Sequence, residues 1–355
     1  ARFKPLVKQG KLVPIFGDLE GVGKFGCVIR MDNGNIEMSQ DPGIPVQLEA
    51  FSHTGKSLWR KDIANHSAIF GSANNCPFNV WDMDGDGKDE VITSFQEGDN
   101  MYLAILDGMS GKLLYKQEWD EMATDLSRSS TRIQMSTAYL DGENPSIIRM
   151  TGIYENEGIS AYDKQLNKLW SYESFMETSG SGGHKIEVAD IDGDGKQEIF
   201  YGTTCLNSDG TLRWSIYRQH PDIITIGDHM PERPGLEVLF IVESSMHAGI
   251  YMVDADSGKV IWKSNREDDP KWDHGHYGWI SDIWSEYPGN ESITNRMGHG
   301  DRNLLLFTAE GERIMEGFPK GVTPIEWDGD NTRELLSLNG KAVGNFNGES
   351  VVNIE

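Results

Sequence analysis

The sequence predicts an all-β protein, a single β-propeller domain of four-stranded blades that spans residues 1–355. Two observations carry this prediction. A hairpin-like element recurs along the whole chain, and a second hairpin-like element follows most copies of the first. The 40 glycines fit the many tight turns that such a fold needs, and long patterns with helical periodicity are few.

The first repeated element has a polar turn, rich in Asp, Gly and Pro, between two short apolar runs. Its two strongest copies are WDMDGDGKDEV from Trp81 and ADIDGDGKQEI from Ala189. Weaker copies begin at Gly17, Tyr139, Gly227, Ser281, Glu326 and Gly344. A polar turn between apolar runs predicts strand, tight loop and strand, which together make a hairpin.

The second repeated element is also an apolar–turn–apolar segment, and it closes on a large apolar residue. Its copies end at Trp59, Tyr115, Trp170, Trp214, Trp262 and Ile314. Two hairpins make a four-stranded sheet of about 50 residues, the size of a propeller blade. The chain length then predicts about seven blades, with eight as the alternative because the last two hairpin copies lie close together. We expect the closing aromatic residue to pack between blades.

The charge balance argues against one class of partner. The chain has 56 acidic and 32 basic residues and a net charge of −24, whereas nucleic-acid binding needs basic patches. An anionic polysaccharide stays open as a partner, because a local basic site can lie on an acidic body and bound cations offset part of the charge. We expect a monomer.

The cysteines and the apolar runs bound the class further. Three widely spaced cysteines, Cys27, Cys76 and Cys205, predict buried thiols rather than a disulfide framework or a zinc site. No apolar run is long enough to predict a membrane span. The first residues, ARFKPLVKQG, do not have the pattern of a signal peptide.

Two Asp-rich turns predict calcium sites. In each turn, three aspartates recur at alternate positions, a glycine allows a sharp bend, and a glutamate follows at the ninth position. Alternate carboxylates converge on one point, and hard oxygen ligands suit calcium better than zinc or copper. The predicted ligands are Asp82, Asp84, Asp86 and Glu90 in the first turn and Asp190, Asp192, Asp194 and Glu198 in the second.

The alternative for these turns is an Asp/Gly turn that binds no metal. Two weaker copies, at Asp141–Glu143 and Asp328–Asp330, leave the same choice open. The flanking strand patterns and the early glutamate exclude the helix–loop–helix of an EF-hand. Because calcium is plentiful outside cells, we expect structural calcium in a secreted or periplasmic protein.

Histidines recur next to predicted strands of several blades, where a propeller places ligand-binding residues at the mouth of its channel. The candidates, with neighbouring tyrosine and arginine residues, are His184, Tyr201, Arg218, His220, His247, His274, His276 and Tyr277. A lone histidine is usually a surface or packed residue, so the recurrence is what favours a site. The tyrosines are equally suited to packing, and Arg218 to a solvated surface charge.

The order of these segments resembles the rhamnogalacturonan lyase family, whose catalytic module is a calcium-rich β-propeller. GGHKIEVADIDGDGKQEIFYGTT is similar to that family's histidine-containing strand, calcium loop and following strand. QHPDIITIGDHMPERPGLEV is similar to the next blade, where His220 and Asp222 match a Gly-His-Gly-Asp motif with Gln and Pro in place of the glycines. The likeness runs from Asn74 to Glu355, but the pair His276-Tyr277 stands where the family carries Arg-Gly. Ulvan lyases, which are also β-propellers with histidine and tyrosine chemistry, are a second family that the chain resembles.

The resemblance implies cleavage of an anionic polysaccharide, rhamnogalacturonan or ulvan, by β-elimination beside a uronic acid. Such a reaction needs a cation at the uronate carboxylate, either Arg218 or a bound calcium. It also needs a base, for which His184 and His220 are candidates, and an acid, for which Tyr201 and Tyr277 are candidates. His276 is a further catalytic candidate. The predicted substrate contacts are Asp222, His247 and His274.

Two other functions fit parts of the sequence. A calcium-dependent propeller that binds carbohydrate or protein without catalysis would need the Asp-rich turns but not the histidines. A quinoprotein dehydrogenase is suggested only by segments such as DADSGKVIW, which resemble the blade endings of those enzymes. Ultraviolet absorbance of an unsaturated uronate product separates the lyase from the first alternative, and an optical spectrum of the protein tests the second.

Overall fold

The architecture is all-β. A computed structural model describes residues 12–31, 46–64, 78–98, 100–118, 133–152, 157–174, 183–217, 220–243, 246–297, 303–337, 342–348 and 351–353. Within these ranges the chain has no helix, and its strands form seven four-stranded antiparallel sheets, which we number as blades 1 to 7. In every blade, strands that are consecutive in sequence are neighbours in the sheet. No described helix is long and apolar enough to cross a membrane.

The chain forms two compact units, and the first contains blades 1 to 3. This unit comprises Ala1–Phe175, Gly195–Gln197 and Ser208–Thr211. Blade 1 contains β1 (Leu12–Gly17), β2 (Gly26–Met31), β3 (Val46–Phe51) and β4 (Ser57–Ala64). Blade 2 contains β5 (Phe78–Trp81), β6 (Glu90–Glu97), β7 (Asn100–Leu106) and β8 (Leu113–Glu118). Blade 3 contains β9 (Ile133–Ala138), β10 (Ser146–Thr151), β11 (Glu157–Tyr162) and β12 (Lys168–Ser174).

The second unit comprises Met176–Asp194, Glu198–Asn207 and Leu212–Glu355, with blades 4 to 7. Blade 4 contains β13 (Ile186–Ala189), β14 (Glu198–Tyr201), β15 (Thr204–Leu206) and β16 (Leu212–Ser215). Blade 5 contains β17 (Pro221–Gly227), β18 (Glu237–Val242), β19 (Gly249–Asp254) and β20 (Val260–Asn265). Blade 6 contains β21 (Gly278–Ser281), β22 (Glu291–Thr294), β23 (Leu304–Phe307) and β24 (Arg313–Phe318). Blade 7 contains β25 (Val322–Ile325), β26 (Glu334–Ser337), β27 (Val343–Phe346) and β28 (Val351–Asn353).

The predicted fold class is confirmed, with seven blades rather than eight. The two closely spaced hairpin copies near the C-terminus belong to one blade: the turn at Glu326 joins β25 to β26, and Gly344 lies in β27 of the second hairpin. Second strands of the blades are the most buried elements, and every residue of β2, β10 and β18 is buried. A strand that is covered on both faces reads as a continuous apolar run rather than as an alternation.

The tryptophans that close the repeats pack between blades, as predicted. The indole Nε1 of Trp59 in blade 1 donates a hydrogen bond to the carbonyl of Gly108 in blade 2, at 2.8 Å. Trp262 in blade 5 donates in the same way to Ala309 in blade 6, at 2.7 Å. Each indole therefore ties its own outer strand to the next sheet.

The described cysteines are buried free thiols. Cys27 and Cys205 form no disulfide, which agrees with the prediction. Burial raises the pKa of the Cys27 thiol to about 11, so the reactive thiolate form is disfavoured there. Cys76 lies outside the described residues.

Candidate active site

The Asp-rich turn of blade 2 joins β5 to β6 through side-chain hydrogen bonds to its own backbone. The Asp82 carboxylate accepts N–H bonds from Gly85 at 2.7 Å and Gly87 at 3.0 Å. Both glycines have a φ of +84°, a left-handed conformation that costs little only for glycine. One carboxylate oxygen from each of Asp82, Asp84 and Asp86 lies within 4.8 Å of the other two. This set of hard oxygen ligands fits a calcium ion.

The glutamate that follows this turn lies directly beneath it. Glu90 is 5% exposed, and its Oε2 accepts an N–H bond from Met83 within the turn, at 2.9 Å. Burial, reinforced by the charges of Asp84 and Asp82, raises the pKa of Glu90 to about 7. The structure therefore places Glu90 against the aspartates, and its role as a calcium ligand stays a prediction.

Blade 4 repeats this arrangement. Carboxylate oxygens of Asp190, Asp192 and Asp194 also lie within 4.8 Å of one another. Glu198 accepts an N–H bond from Ile191 at 3.2 Å, just as Glu90 does from the equivalent residue of blade 2. The carboxylates of this turn therefore lie as close to one another as those of the blade 2 turn.

The two weaker turns differ from each other. In blade 7, Asp328, Asp330 and Glu334 bring carboxylate oxygens within 4.8 Å, so this turn also has the ligands of a cation site. In blade 3, the Asp141 carboxylate accepts N–H bonds from Glu143 at 2.8 Å and Asn144 at 2.7 Å. That aspartate is engaged in closing its own turn.

A second kind of cluster lies within the second unit, where imidazoles meet carboxylates. Its histidines stand just before the first strands of three blades: His184 before β13, His220 before β17 and His276 before β21. Asp222 lies near the start of β17, and Glu243 directly follows β18. Because β17 and β18 are antiparallel neighbours, the start of one and the end of the other lie side by side.

The two carboxylates of this cluster each contact more than one imidazole. Asp222 Oδ2 lies 2.6 Å from His276 Nδ1, and Asp222 Oδ1 lies 3.5 Å from His184 Nε2 and 3.6 Å from His220 Nε2. Glu243 Oε2 lies 3.1 Å from His220 Nε2, and Glu243 Oε1 lies 3.7 Å from His276 Nε2. The rings of His184 and His220 meet edge to face, with centroids 4.9 Å apart. We call these five residues the imidazole–carboxylate cluster.

Electrostatics within the cluster favour the ionised form of Glu243. Burial opposes ionisation of Glu243, but the hydrogen bond from His220 and the nearby imidazolium charges lower its pKa to about 2. Burial lowers the pKa of His276, against the opposing charge of Glu243. The His184 side chain is the most accessible of the five, at 28% exposed, whereas that of His220 is 4% exposed.

The backbone at His220 is held in an uncommon conformation. His220 has a φ of +42°, in the left-handed region that residues with a side chain rarely adopt. Its carbonyl accepts the N–H of Glu243 at 3.0 Å, which locks the two loops together. Strained conformations of this kind cluster at functional sites, where the surrounding structure holds them.

One oxygen or nitrogen atom from each of His184, His220, Asp222 and Glu243 lies within 4.8 Å of the others, so these four residues can hold a metal ion. The sequence predicted the two histidines as bases and Asp222 as a substrate contact, and the structure brings all three together. Glu243 was not predicted. The signal for it is a charged residue directly after the apolar strand EVLFIV, beside the histidine that precedes the neighbouring strand.

The other predicted residues lie in different surroundings. Tyr201 is 1% exposed, as its packing alternative requires. The Tyr277 hydroxyl donates to the Val322 carbonyl at 3.2 Å, and burial raises the pKa of this phenol.

His274 stacks on His276 with ring centroids 5.6 Å apart, at the edge of the cluster. His247 follows Glu243 by four positions, and its carbonyl accepts the Tyr251 hydroxyl at 2.8 Å. Arg218 lies outside the described residues.

Seven four-stranded blades, Asp-rich turns and an imidazole–carboxylate cluster define a β-propeller with candidate metal-binding sites. The chain belongs to rhamnogalacturonan lyase family 11, whose C-terminal domain matches residues 14–102 and 96–354. The family predicted from the sequence is therefore confirmed.

Known proteins that are similar to this chain are named as rhamnogalacturonan lyases. The chain is 30% identical over 366 residues to the rhamnogalacturonan endolyase YesW of Bacillus subtilis (strain 168), covering 91% of this chain and 57% of that protein. It is also 30% identical to the rhamnogalacturonan exolyase YesX of the same organism, over 90% of this chain and 58% of that protein. The solved Bacillus licheniformis rhamnogalacturonan lyase PL11 matches with a TM-score of 0.81 at 27% identity, over 96% of this chain and 63% of that one. This chain thus spans less than two thirds of each relative.

Proposed function

We propose that the protein is a polysaccharide lyase that cleaves rhamnogalacturonan by β-elimination. The observation that carries the proposal is the imidazole–carboxylate cluster, found in a chain whose curated relatives are named rhamnogalacturonan endolyase and exolyase. Elimination beside a uronic acid requires a group that accepts the C5 proton and a positive charge that stabilises the carboxylate. Imidazoles and a cation site in one cluster supply both requirements.

The proposal assigns the proton-accepting role to His184. Its side chain is 28% exposed, the most accessible in the cluster, so an approaching sugar ring meets it first. His220 is nearly buried and contacts Glu243, which suits it to holding the cluster together. Tyr201 is sequestered and the Tyr277 hydroxyl is bonded to a main-chain carbonyl, so neither is proposed as the proton donor. Solvent water would instead protonate the oxygen that leaves C4 when the C4–O bond breaks.

The donor set of the cluster fits a divalent cation. Two imidazole nitrogens, from His184 and His220, and two carboxylate oxygens, from Asp222 and Glu243, converge within 4.8 Å. When bound there, the cation would supply positive charge for the substrate carboxylate. A neutral imidazole has one free lone pair, so His184 cannot bind the cation and accept the C5 proton at the same time. With His184 as the base, His220, Asp222 and Glu243 would hold the cation.

We further propose that the Asp-rich turns of blades 2 and 4 bind calcium for structure rather than for catalysis. Each gathers three aspartate carboxylates within 4.8 Å, and both close the first hairpin of a blade. A polymer substrate and calcium-dependent stability both suit a protein that acts outside the cytoplasm, in the periplasm or after secretion.

Ultraviolet absorbance of the unsaturated uronate product tests the lyase proposal. The purified protein is mixed with rhamnogalacturonan, ulvan, homogalacturonan and alginate in turn, with calcium present, and a rise with rhamnogalacturonan is expected. His184→Ala should abolish the rise. His53→Ala is the matched control, because His53 is also 28% exposed and paired with a carboxylate, Glu20, but lies in the other unit. A rise in absorbance with ulvan alone would identify ulvan, rather than rhamnogalacturonan, as the substrate. No rise with any of the four polymers, from a folded protein, would refute the lyase proposal.

A further inference from the structure

The segment between β20 and β21 carries His274 and His276 but contains no strand of its own. Apart from an isolated β-bridge between His274 and Met297, strand pairing therefore does not fix the backbone that presents His276 to the cluster. This matters because the His276 side chain is 9% exposed and makes its contacts with Asp222 and Glu243 at 2.6 and 3.7 Å. Distances of this kind depend on a backbone that is held in place.

Asn295, which directly follows β22, supplies that hold. It is 1% exposed, and its side-chain Oδ1 accepts the N–H of His276 at 2.9 Å and the N–H of Tyr277 at 2.7 Å. The Asn295 N–H in turn donates to the Tyr277 carbonyl at 3.2 Å. An amide oxygen has two lone pairs, so one side chain can bind two successive N–H groups. Three hydrogen bonds thus fix the His276–Tyr277 peptide to the end of β22.

Arg296, the residue after Asn295, fixes the part of the segment that precedes His276. The Arg296 carbonyl accepts the N–H of Asp273 at 2.9 Å and the N–H of His274 at 3.1 Å. The Arg296 guanidinium is 6% exposed and donates to Asp269 Oδ2 at 3.0 Å. A buried charge-assisted contact of this kind holds a loop firmly. His274 is thereby kept where its ring stacks on that of His276.

We propose that Asn295 is a positioning residue for the reaction, acting through His276 and contacting no reacting atom itself. The inference rests on the proposed function. Asp222 Oδ2 binds His276 Nδ1, and Asp222 Oδ1 faces His184 and His220, so a displaced His276 would release the carboxylate that aligns the other imidazoles. A misplacement of about 1 Å at a reacting site lowers the rate by about 100-fold.

Two substitutions separate positioning from general stability. Asn295→Ala removes the acceptor of both N–H groups, whereas Asn295→Asp keeps an oxygen acceptor at the same place. For Asn295→Ala, we expect kcat on rhamnogalacturonan to fall about 10- to 100-fold with KM nearly unchanged. For Asn295→Asp, we expect most of kcat to return, because the carboxylate still accepts both N–H groups.

Nitrogen NMR of the histidine side chains gives a readout that does not depend on activity. In the parent protein the His276 Nδ1–H signal should report its hydrogen bond to Asp222, and Asn295→Ala should move it toward the signal of a free imidazole. Asn290→Ala is the matched control, because Asn290 contacts a different histidine, with its Nδ2 3.0 Å from His229 Nδ1. That control should leave both kcat and the His276 signal unchanged.

Unchanged kcat and an unchanged His276 signal in Asn295→Ala would overturn the proposal. If Asn295→Ala does not fold, Asn295→Asp decides alone, and loss of the His276 signal in that folded variant would overturn it. An inactive parent protein would refute the lyase, while the NMR comparison would still test whether Asn295 positions His276.

Discussion

His276 Nδ1 lies 2.6 Å from the Oδ2 of Asp222, a residue 54 positions earlier in the chain. Asp222 lies in the first strand of blade 5 and His276 just before the first strand of blade 6, so the contact joins these two blades at the cluster. A carboxylate that binds one ring nitrogen fixes the tautomer and orientation of an imidazole. Here it directs the other nitrogen, Nε2, toward Glu243 at 3.7 Å.

Asp222→Asn should abolish most activity without unfolding the protein. The amide keeps the shape of the side chain but loses the charge that faces three imidazoles, so we expect kcat to fall about 100-fold or more. The measurement is product absorbance, with circular dichroism to confirm the fold. Asp254→Asn is the control, because Asp254 pairs with Arg233 in the same blade and takes no part in the cluster. Equal losses in the two variants would count against a special role for Asp222.

The blade repeat and the Asp-rich turns could be predicted because they are local. All carboxylates of the blade 2 turn fall between Asp82 and Glu90, so spacing alone brings them together. The histidine cluster depends on contacts between blades, and position in the repeat was enough to find His184 and His220. Glu243 was missed, because an acidic residue at the end of a strand looks like the start of a solvated turn.

Tyr201 is a residue for which the local sequence pattern could not decide between a catalytic role and a packing role. All four residues of β14, Glu198 to Tyr201, are buried, so both faces of this strand are covered. Period-two alternation separates an exposed face from a buried one only when one face meets solvent. The sequence therefore left two roles open for the tyrosine, and burial favours packing.

Calcium removal should lower thermal stability, and the Asp-rich turns should account for the effect. A ligand that binds only the folded state stabilises it by about 2.7 kcal/mol at a concentration 100 times its Kd. We expect chelation to lower Tm in the parent protein and to have a smaller effect in Asp84→Asn. Asp163→Asn is the control, because Asp163 closes a different turn by accepting the N–H of Asn167 at 2.8 Å. Identical shifts in all three proteins would contradict calcium binding at the blade 2 turn.

Trp262→Phe should weaken the connection between blades 5 and 6. The substitution keeps an aromatic ring beside Phe307 but removes the hydrogen bond to the Ala309 carbonyl, which should cost about 1 kcal/mol of unfolding free energy. Chemical denaturation measures the change. Trp327→Phe is the control. Trp327 is 62% exposed, so this substitution should leave the unfolding free energy unchanged. A neutral result for Trp262→Phe would show that the indole contributes packing alone.

The raised pKa of the buried Glu291 carboxyl predicts that the folded state loses stability as the pH rises. The residue is fully buried, and its Oε2 accepts the N–H groups of Ile283 at 3.0 Å and Trp284 at 3.1 Å. Burial, with the charge of Asp282 adding to it, raises the pKa of Glu291 from 4.5 to about 7. A raised pKa in the folded state means that stability is complete below pH 4.5 and is lost as the pH rises through 7.

Glu291→Gln should therefore stabilise the protein at pH 8 and have little effect at pH 4. The amide keeps an oxygen for the two N–H groups and removes the buried charge. The gain at pH 8 should be on the order of 3 kcal/mol at most, measured as unfolding free energy across the pH range. Glu286→Gln, on the exposed part of the same turn, should show no such trend. A constant difference between Glu291→Gln and the parent at every pH would show that the Glu291 charge is not what costs stability.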